Sequence, residues 1–274
     1  MIELLFILIC VGILAGFLSG MFGLGGGLTI IPALVFCLPY FGFPEQHIMH
    51  AAVATSLSIM FINSIYGLYK HNKSSRINWE IVKLFSIFII SGALIGSFAS
   101  SYLSNSVILI FFVIFLGYIL IVKIKKTLRV KKSDSSPSHS IKIPLIAFYG
   151  SLTGVISALV GGGSSLMIVP FLEKRDFTIK EAVAICTTFN IFLAFTASVS
   201  YMYLGLLVNG LPNFTLGYIY LPAFFCIIAG SFIGVPIGVK TIRHLKNNFA
   251  ALIYFAFVSF IFILMFYKMI TYIG

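Results

Sequence analysis

The stretch GFLSGMFGLGGGLTIIPAL at residues 16–34 recurs in a related form, GVISALVGGGSSLMIVPFL, at residues 154–172. At an offset of 138 residues, these positions carry the same amino acid: Gly16, Ser19, Gly23, Gly25, Leu28, Ile30, Pro32 and Leu34 fall on Gly154, Ser157, Gly161, Gly163, Leu166, Ile168, Pro170 and Leu172. The same offset places Gly92 and Gly96 on Gly230 and Gly234, and an offset of 132 places Thr55-Ser56 on Thr187-Thr188. Because nearly constant offsets recover features far apart in the chain, the sequence predicts two related halves.

The composition around these stretches is that of a membrane protein. Of the 274 residues, 60% are hydrophobic and 9% are charged, whereas a soluble domain carries about 25% charged residues. A helix needs about 20 apolar residues to cross the hydrocarbon core, and the apolar segments lack the alternation of a membrane β-barrel. We therefore predict an all-α, polytopic membrane protein with segments at residues 2–22, 28–43, 48–69, 79–103, 106–124, 143–160, 164–172, 182–208, 215–239 and 249–272.

The net charge of +11 comes mostly from basic residues in short loops, and these do not form a nucleic-acid-binding face. They form four clusters: Lys70, Lys73 and Arg76; Lys123, Lys125, Lys126, Arg129, Lys131, Lys132 and Lys142; Lys174, Arg175 and Lys180; and Lys240, Arg243 and Lys246. Lys and Arg collect in cytoplasmic loops. We therefore expect the connections near Phe41, Ser104 and Asn209 to lie outside, together with both termini of this multi-pass protein of the cell (plasma) membrane.

The most polar segment divides the chain into three parts. Residues 1–124 form the predicted first membrane repeat, residues 125–142 a basic cytoplasmic linker, and residues 143–274 the second repeat. Each repeat has five segments, and an odd number inverts the second repeat in the membrane. Inverted repeats recur in secondary transporters, which bind their substrate near the bilayer midplane where the repeats meet.

Two glycine runs mark the predicted site. The nine residues 164–172 would form a helix of about 14 Å, which is too short to cross the bilayer. We therefore expect the chain to turn inside the membrane at Gly161-Gly162-Gly163, and likewise at residues 23–27. A helix that starts after such a turn presents unpaired N–H groups and the positive end of its dipole, which attract an anion.

These arguments predict a substrate-binding site made of backbone and hydroxyl donors. Its candidate residues are Gly23, Gly25, Gly26, Gly27, Thr55, Ser56, Gly161, Gly162, Gly163, Ser164, Ser165, Thr187, Thr188 and Asn190. The polar side chains could instead bond other helices or the preceding turn of their own helix. Close helix packing is the favoured interpretation of Gly92, Gly96, Gly230 and Gly234.

The doubled motif resembles that of the sulfite exporter TauE/SafE family of membrane permeases. The resemblance rests on G-x-x-S-G-x-x-G-x-G-G-G-x-x-x-x-P-x-L from Gly16 to Leu34, on its second copy from Gly154 to Leu172, and on Ala51-Ala52-Val53-Ala54-Thr55-Ser56-Leu57. The second copy departs from the pattern in having Gly-Gly-Gly-Ser-Ser at residues 161–165. The resemblance covers about residues 5–270 and implies a permease of small anions such as sulfite, sulfoacetate or other sulfonates.

Two other functions stay open at this point, an anion channel and a membrane-embedded enzyme. The sequence shows no converging acid, base or metal ligands, and Cys10, Cys37, Cys186 and Cys226 lack ligand spacing. We therefore expect no enzyme activity, no catalytic residue, no cofactor and no metal ion. No Asp or Glu lies in the middle of an apolar segment, so a buried carboxylate proton relay is not predicted. The expected partners are a small anion, the bilayer and possible further copies of the chain.

Overall fold

The computed structural model describes residues 2–23, 25–71, 79–128, 143–175, 177, 179–244 and 247–273. Within them the chain forms the α-helices α1 (Ile2–Phe22), α2 (Gly27–Cys37), α3 (Ile48–His71), α4 (Trp79–Ser100), α5 (Asn105–Leu128), α6 (Ile143–Val160), α7 (Ser165–Glu173), α8 (Ile179–Leu206), α9 (Leu221–His244) and α10 (Asn247–Ile273). Two short antiparallel strands, β1 (Thr215–Leu216) and β2 (Ile219–Tyr220), connect α8 to α9. The basic residues Lys73, Arg76, Arg129, Lys131, Lys132, Lys142 and Lys246 lie outside the described residues.

Helix length confirms the polytopic, all-α membrane fold. Within the described residues, eight helices are long and apolar enough to cross a membrane, namely α1, α3, α4, α5, α6, α8, α9 and α10. Helix α2 has 11 residues and α7 has 9 residues. Both short helices follow the glycine runs, as predicted. The inverted orientation of the two halves in the membrane stays a prediction.

Glycines bring two helix pairs into backbone contact. Helix α1 packs along α9, where a methyl group built on Gly16 would lie 2.7 Å from the Cα atom of Ser231. Helix α6 packs along α4, where a methyl group built on Gly154 would lie 2.7 Å from the backbone nitrogen of Ala93. The offset of 138 relates these two contacts residue by residue. Four further glycines, Gly92, Gly96, Gly230 and Gly234, also lie against the backbone of the partner helix.

Helices α3 and α8 form the centre of the molecule. They pack against each other and are largely buried, and α3 also contacts α9 while α8 contacts α4. Gly67 of α3 lies beside Thr187 of α8, whereas Phe61 contacts Phe195. At these contacts the residue number falls along α3 as it rises along α8. The two helices are therefore antiparallel.

The apolar segment 215–239 is not the single helix that hydrophobicity suggests. It begins with the hairpin of β1 and β2, and α9 starts only at Leu221. Phe214 (φ 65°) and Gly217 (φ 58°) have left-handed backbone conformations, which are incompatible with a right-handed helix at these positions. A methyl group built on Gly217 would also overlap the carbonyl oxygen of Met202 in α8, so glycine lets the hairpin pack onto that helix.

Candidate functional site

The two glycine turns meet in the interior. Gly25 (φ 70°) and Gly26 (φ 91°) in the first turn, and Gly161 (φ 64°) in the second, have backbone conformations that favour glycine. A methyl group built on Gly27 would overlap the carbonyl oxygen of Gly161, so the two turns are in direct backbone contact. The structure thus brings together the two motifs that the sequence analysis identified.

Gly162 of the second turn is less crowded than Gly161. A methyl group built on Gly162 would lie 3.6 Å from Leu166 and 3.7 Å from Phe115, which are ordinary contacts. The carbonyl oxygen of Gly163 accepts a hydrogen bond of 3.5 Å from the Leu166 N–H group in the first turn of α7. Positive φ or backbone contact therefore explains glycine at 27 and 161 but not at 162.

A buried polar network, the Asn190 network, joins the two halves. It consists of Gly23, Ser164, Ser165 and Asn190. The Asn190 side chain accepts hydrogen bonds from the Ser164 N–H group (2.7 Å) and hydroxyl (2.8 Å) through Oδ1. Its Nδ2 atom donates to the carbonyl oxygen of Gly23 (2.9 Å), which also accepts from the Ser165 hydroxyl. The first glycine turn is therefore bonded to the start of α7 and to the middle of α8.

In this conformation, the predicted anion-binding donors of α7 are bonded within the protein. The Ser164 N–H group and hydroxyl both point at Asn190, and the hydroxyl also lies 3.2 Å from the carbonyl oxygen of Cys186. The Ser165 hydroxyl is directed at Gly23. An anion would therefore have to replace these internal acceptors.

The predicted threonines make three different contacts. Thr187 and Thr188 donate to the carbonyl oxygens of Val183 (2.8 Å) and Ala184 (3.1 Å), one turn earlier in α8. This is the alternative that the sequence analysis left open for them. The Thr55 hydroxyl instead accepts a hydrogen bond of 3.0 Å from the Tyr220 N–H group of β2. Thr55 therefore links α3 to the hairpin.

The hairpin covers the Ile48 end of α3. The ring of Tyr218, between β1 and β2, stacks on His50, with 5.2 Å between ring centroids. Burial raises the pKa of the Tyr218 phenol. In the present conformation, aromatic packing therefore covers this end of α3.

Within the described residues, a few buried hydroxyl groups have no hydrogen-bond partner, and two of them lie on α3. Within the described part of the chain, the Oγ atoms of Ser56 and Ser64 are buried and have no hydrogen-bond partner. The sequence analysis predicted Ser56 and missed Ser64. A signal was present, because the offset of 132 that relates Ser56 to Thr188 also relates Ser64 to Thr196.

The site is uncharged. Among the residues whose burial is described, no Lys, Arg, Asp or Glu is buried. The searched residues also contain no group of three or more His, Cys, Asp or Glu side chains that could hold a metal ion. The chemical groups at the turns are therefore backbone amides, hydroxyls and one carboxamide, which bind through hydrogen bonds.

Comparison with known proteins decides the family. The family model described as "Sulfite exporter TauE/SafE" matches residues 8–267, nearly the whole chain. The chain belongs to the TauE/SafE sulfite exporter family. This confirms the resemblance drawn from the doubled glycine motif, and the protein is a membrane transporter of that family.

Three curated relatives are described as probable membrane transporters. A "Probable membrane transporter protein" of Haemophilus influenzae is 33% identical over 255 residues, covering 89% of this chain and 94% of the relative. A protein with the same description from Methanocaldococcus jannaschii is 31% identical over 249 residues, covering 89% and 86%. The corresponding protein YunE of Bacillus subtilis is 27% identical over 218 residues, covering 73% and 78%. No solved structure matches the chain significantly.

Proposed function

We propose that this TauE/SafE protein is a secondary transporter that moves a small sulfur-containing anion, such as sulfite or a sulfonate, by alternating access. The observation that carries the proposal is the backbone contact between the two glycine turns, at Gly27 and Gly161. Each turn follows a long apolar helix and precedes a short one. Interrupted helices of this kind form the binding sites of many secondary transporters.

The sign of the substrate charge follows from the helix starts. Helices α2 and α7 both begin at the turns, and each helix N-terminus carries about half a positive elementary charge. Among the residues whose burial is described, no buried Lys, Arg, Asp or Glu opposes or replaces the field of the helix starts. Backbone N–H and hydroxyl donors suit a compact anion with several oxygen acceptors.

Alternating access follows from how the halves are joined. We propose that residues 1–124 and 143–274 are inverted repeats connected by the cytoplasmic linker 125–142. The equivalent central helices α3 and α8 are antiparallel, and the pairs of α1 with α9 and α4 with α6 have equivalent contacts, which supports this proposal. Rocking of the two pairs against each other would separate Gly23 from Asn190 and free the donors that now bond within the protein.

Transport assays in proteoliposomes test the proposed function. We expect the purified protein to take up sulfur-35-labelled sulfite or sulfoacetate, and unlabelled substrate inside the vesicles to accelerate the initial uptake. Protein-free vesicles provide the background. Uptake that does not saturate and does not respond to internal substrate would instead indicate a channel. Chemical alteration of the substrate would indicate an enzyme, and a preference for cations would contradict the proposed charge.

The membrane orientation gives an independent prediction. We expect cysteines introduced at Ser104 and Asn209, in a background without the four native cysteines, to react with an impermeant thiol reagent added to intact cells. A cysteine at Ser135, which lies outside the described residues, should react only after the cells are opened. Labelling at Ser135 in intact cells would refute the inverted orientation.

A further inference from the structure

One face of α3 points toward the two glycine turns along most of its length. Residues 53, 56, 60, 64 and 67 share this face, because side chains three or four positions apart line up on a helix. Contacts at three of these positions fix its direction. Val53 lies beside Gly161, with 3.5 Å between its Cα atom and a methyl group built on that glycine, and Met60 fills the space next to Gly25. Gly67 lies beside Thr187 of α8.

Ser56 and Ser64 occupy the two intervening positions of this face. Ser56 lies between the positions that contact the second and the first glycine turn. Ser64 lies between the position that contacts the first turn and the position that contacts Thr187. Ser56 is 0% exposed and Ser64 is 2% exposed, so water outside the protein does not supply hydrogen-bond partners for their hydroxyl groups.

On α3, the lack of a partner distinguishes this face from the opposite one. A serine inside a helix commonly donates to the carbonyl oxygen one turn earlier, and Ser58 does so toward Ala54 at 2.9 Å. Ser58 lies on the opposite face of α3 and is also buried. Within the described residues, the Ser56 and Ser64 hydroxyls make no such bond and have no other acceptor. Two unused donors therefore face the place where the turns meet.

We propose that Ser56 and Ser64 bind the transported anion at two successive positions along this face of α3. This inference rests on the proposed function and names the part of the protein that holds the substrate. Eight residues of helix correspond to about 12 Å, which exceeds the reach of a single compact oxyanion. Each hydroxyl therefore serves a separate position, Ser56 between the two turns and Ser64 beside the first turn and Thr187.

Within the described residues, the Ser56 and Ser64 hydroxyl groups have no hydrogen-bond partner, so they can donate to an anion in the present conformation. The donors of Ser164 and Ser165 are bonded to Asn190 and Gly23, whereas those of α3 are available without breaking the Asn190 network. An anion at either serine would still lie beside glycine backbone at a helix start. It would therefore gain the favourable helix dipole together with one hydroxyl hydrogen bond.

Alanine variants at three positions of α3 test the proposal. We expect Ser56→Ala and Ser64→Ala each to raise the KM for sulfoacetate or sulfite uptake about fivefold or more, because a hydrogen bond to a charged group is lost. Ser58→Ala should leave the KM unchanged, since that hydroxyl bonds its own helix. Unchanged KM values in both Ser56→Ala and Ser64→Ala would overturn the inference. Absence of anion transport by the unmodified protein would overturn the proposed function instead.

Substrate protection provides a second measurement that does not require full activity. S56C, S64C and S58C, each made without the native cysteines, are labelled with N-ethylmaleimide in the presence and absence of saturating sulfoacetate. We expect sulfoacetate to slow labelling at positions 56 and 64 but not at position 58. Equal labelling with and without sulfoacetate at both 56 and 64 would overturn the inference, even if the alanine variants were poorly folded.

Discussion

Replacement of Gly27 by alanine is expected to abolish transport and to destabilise the folded protein. The added methyl group would overlap the carbonyl oxygen of Gly161, and both groups are backbone, Gly27 at the start of α2 and Gly161 in the second glycine turn. Overpacking of a well-packed interior costs about 1 to 3 kcal/mol. We expect the upper end of this range, since neither group is the end of a flexible side chain. Thermal unfolding in detergent and uptake in proteoliposomes measure the two effects.

A matched glycine distinguishes this effect from a general sensitivity of the helices. A methyl group built on Gly117 of α5 would lie 3.4 Å from the edge of the Phe262 ring, which belongs to a side chain and not to the backbone. Gly117→Ala should therefore fold and transport normally. If Gly27→Ala matched Gly117→Ala in both measurements, the contact between the turns would have no role in transport.

A substitution at Gly162 tests whether the substrate approaches the backbone there, without disturbing the packing. The structure leaves room for a methyl group at this position, so Gly162→Ala should unfold at the same temperature as the unmodified protein. A loss of transport in this stable variant would mean that the substrate approaches the backbone there. The sequence pattern does not distinguish the three glycines of residues 161–163, whereas the structure shows different constraints at Gly161 and Gly162.

Much of the helical architecture could be predicted from sequence because each segment is apolar, long and bounded by polar or glycine-rich connections. The offset of 138 carried more information than composition, since it relates Gly16 to Gly154 and also relates Ser231 to Ala93, their contacts on α9 and α4. The hairpin before α9 was not predictable in this way. Its residues belong to the apolar segment that continues into α9, and the left-handed backbone at Phe214 and Gly217 that shapes the hairpin has no counterpart in hydrophobicity.

The types of residue in the candidate site could be predicted from the sequence, but the hydrogen bonds between them could not. Sequence patterns pointed to Ser164, Ser165 and Asn190, whereas the acceptor on Gly23 lies 142 and 167 residues from its two donors. Bonds over such separations depend on how the halves pack. Ser64 was missed although the offset of 132 relates it to Thr196, because its helix face and its lack of a partner become known only from the structure.

Removal of the Asn190 side chain is expected to lower the free energy of unfolding strongly. Asn190→Ala would leave the Ser164 N–H group without its acceptor and deprive the Gly23 carbonyl oxygen of one of its two donors. Single hydrogen bonds between membrane helices contribute about 0.6 kcal/mol on average, whereas a buried group left unsatisfied costs about 1 to 3 kcal/mol. We therefore expect the free energy of unfolding to fall by roughly 2 to 4 kcal/mol.

Two further variants identify which part of the Asn190 network is responsible. Thr188→Val removes a hydroxyl that bonds only the preceding turn of α8, so its unfolding temperature should change little. Asn190→Asp keeps an acceptor for Ser164 but cannot donate to Gly23 when ionised, and a buried carboxylate is costly in the membrane interior. It should therefore be at least as destabilised as Asn190→Ala. If Asn190→Ala were as stable as Thr188→Val, the bonds between Gly23, Ser164 and Asn190 would not hold the two halves together, and the glycine turns would have to be kept in place by backbone packing at Gly27 and Gly161 alone.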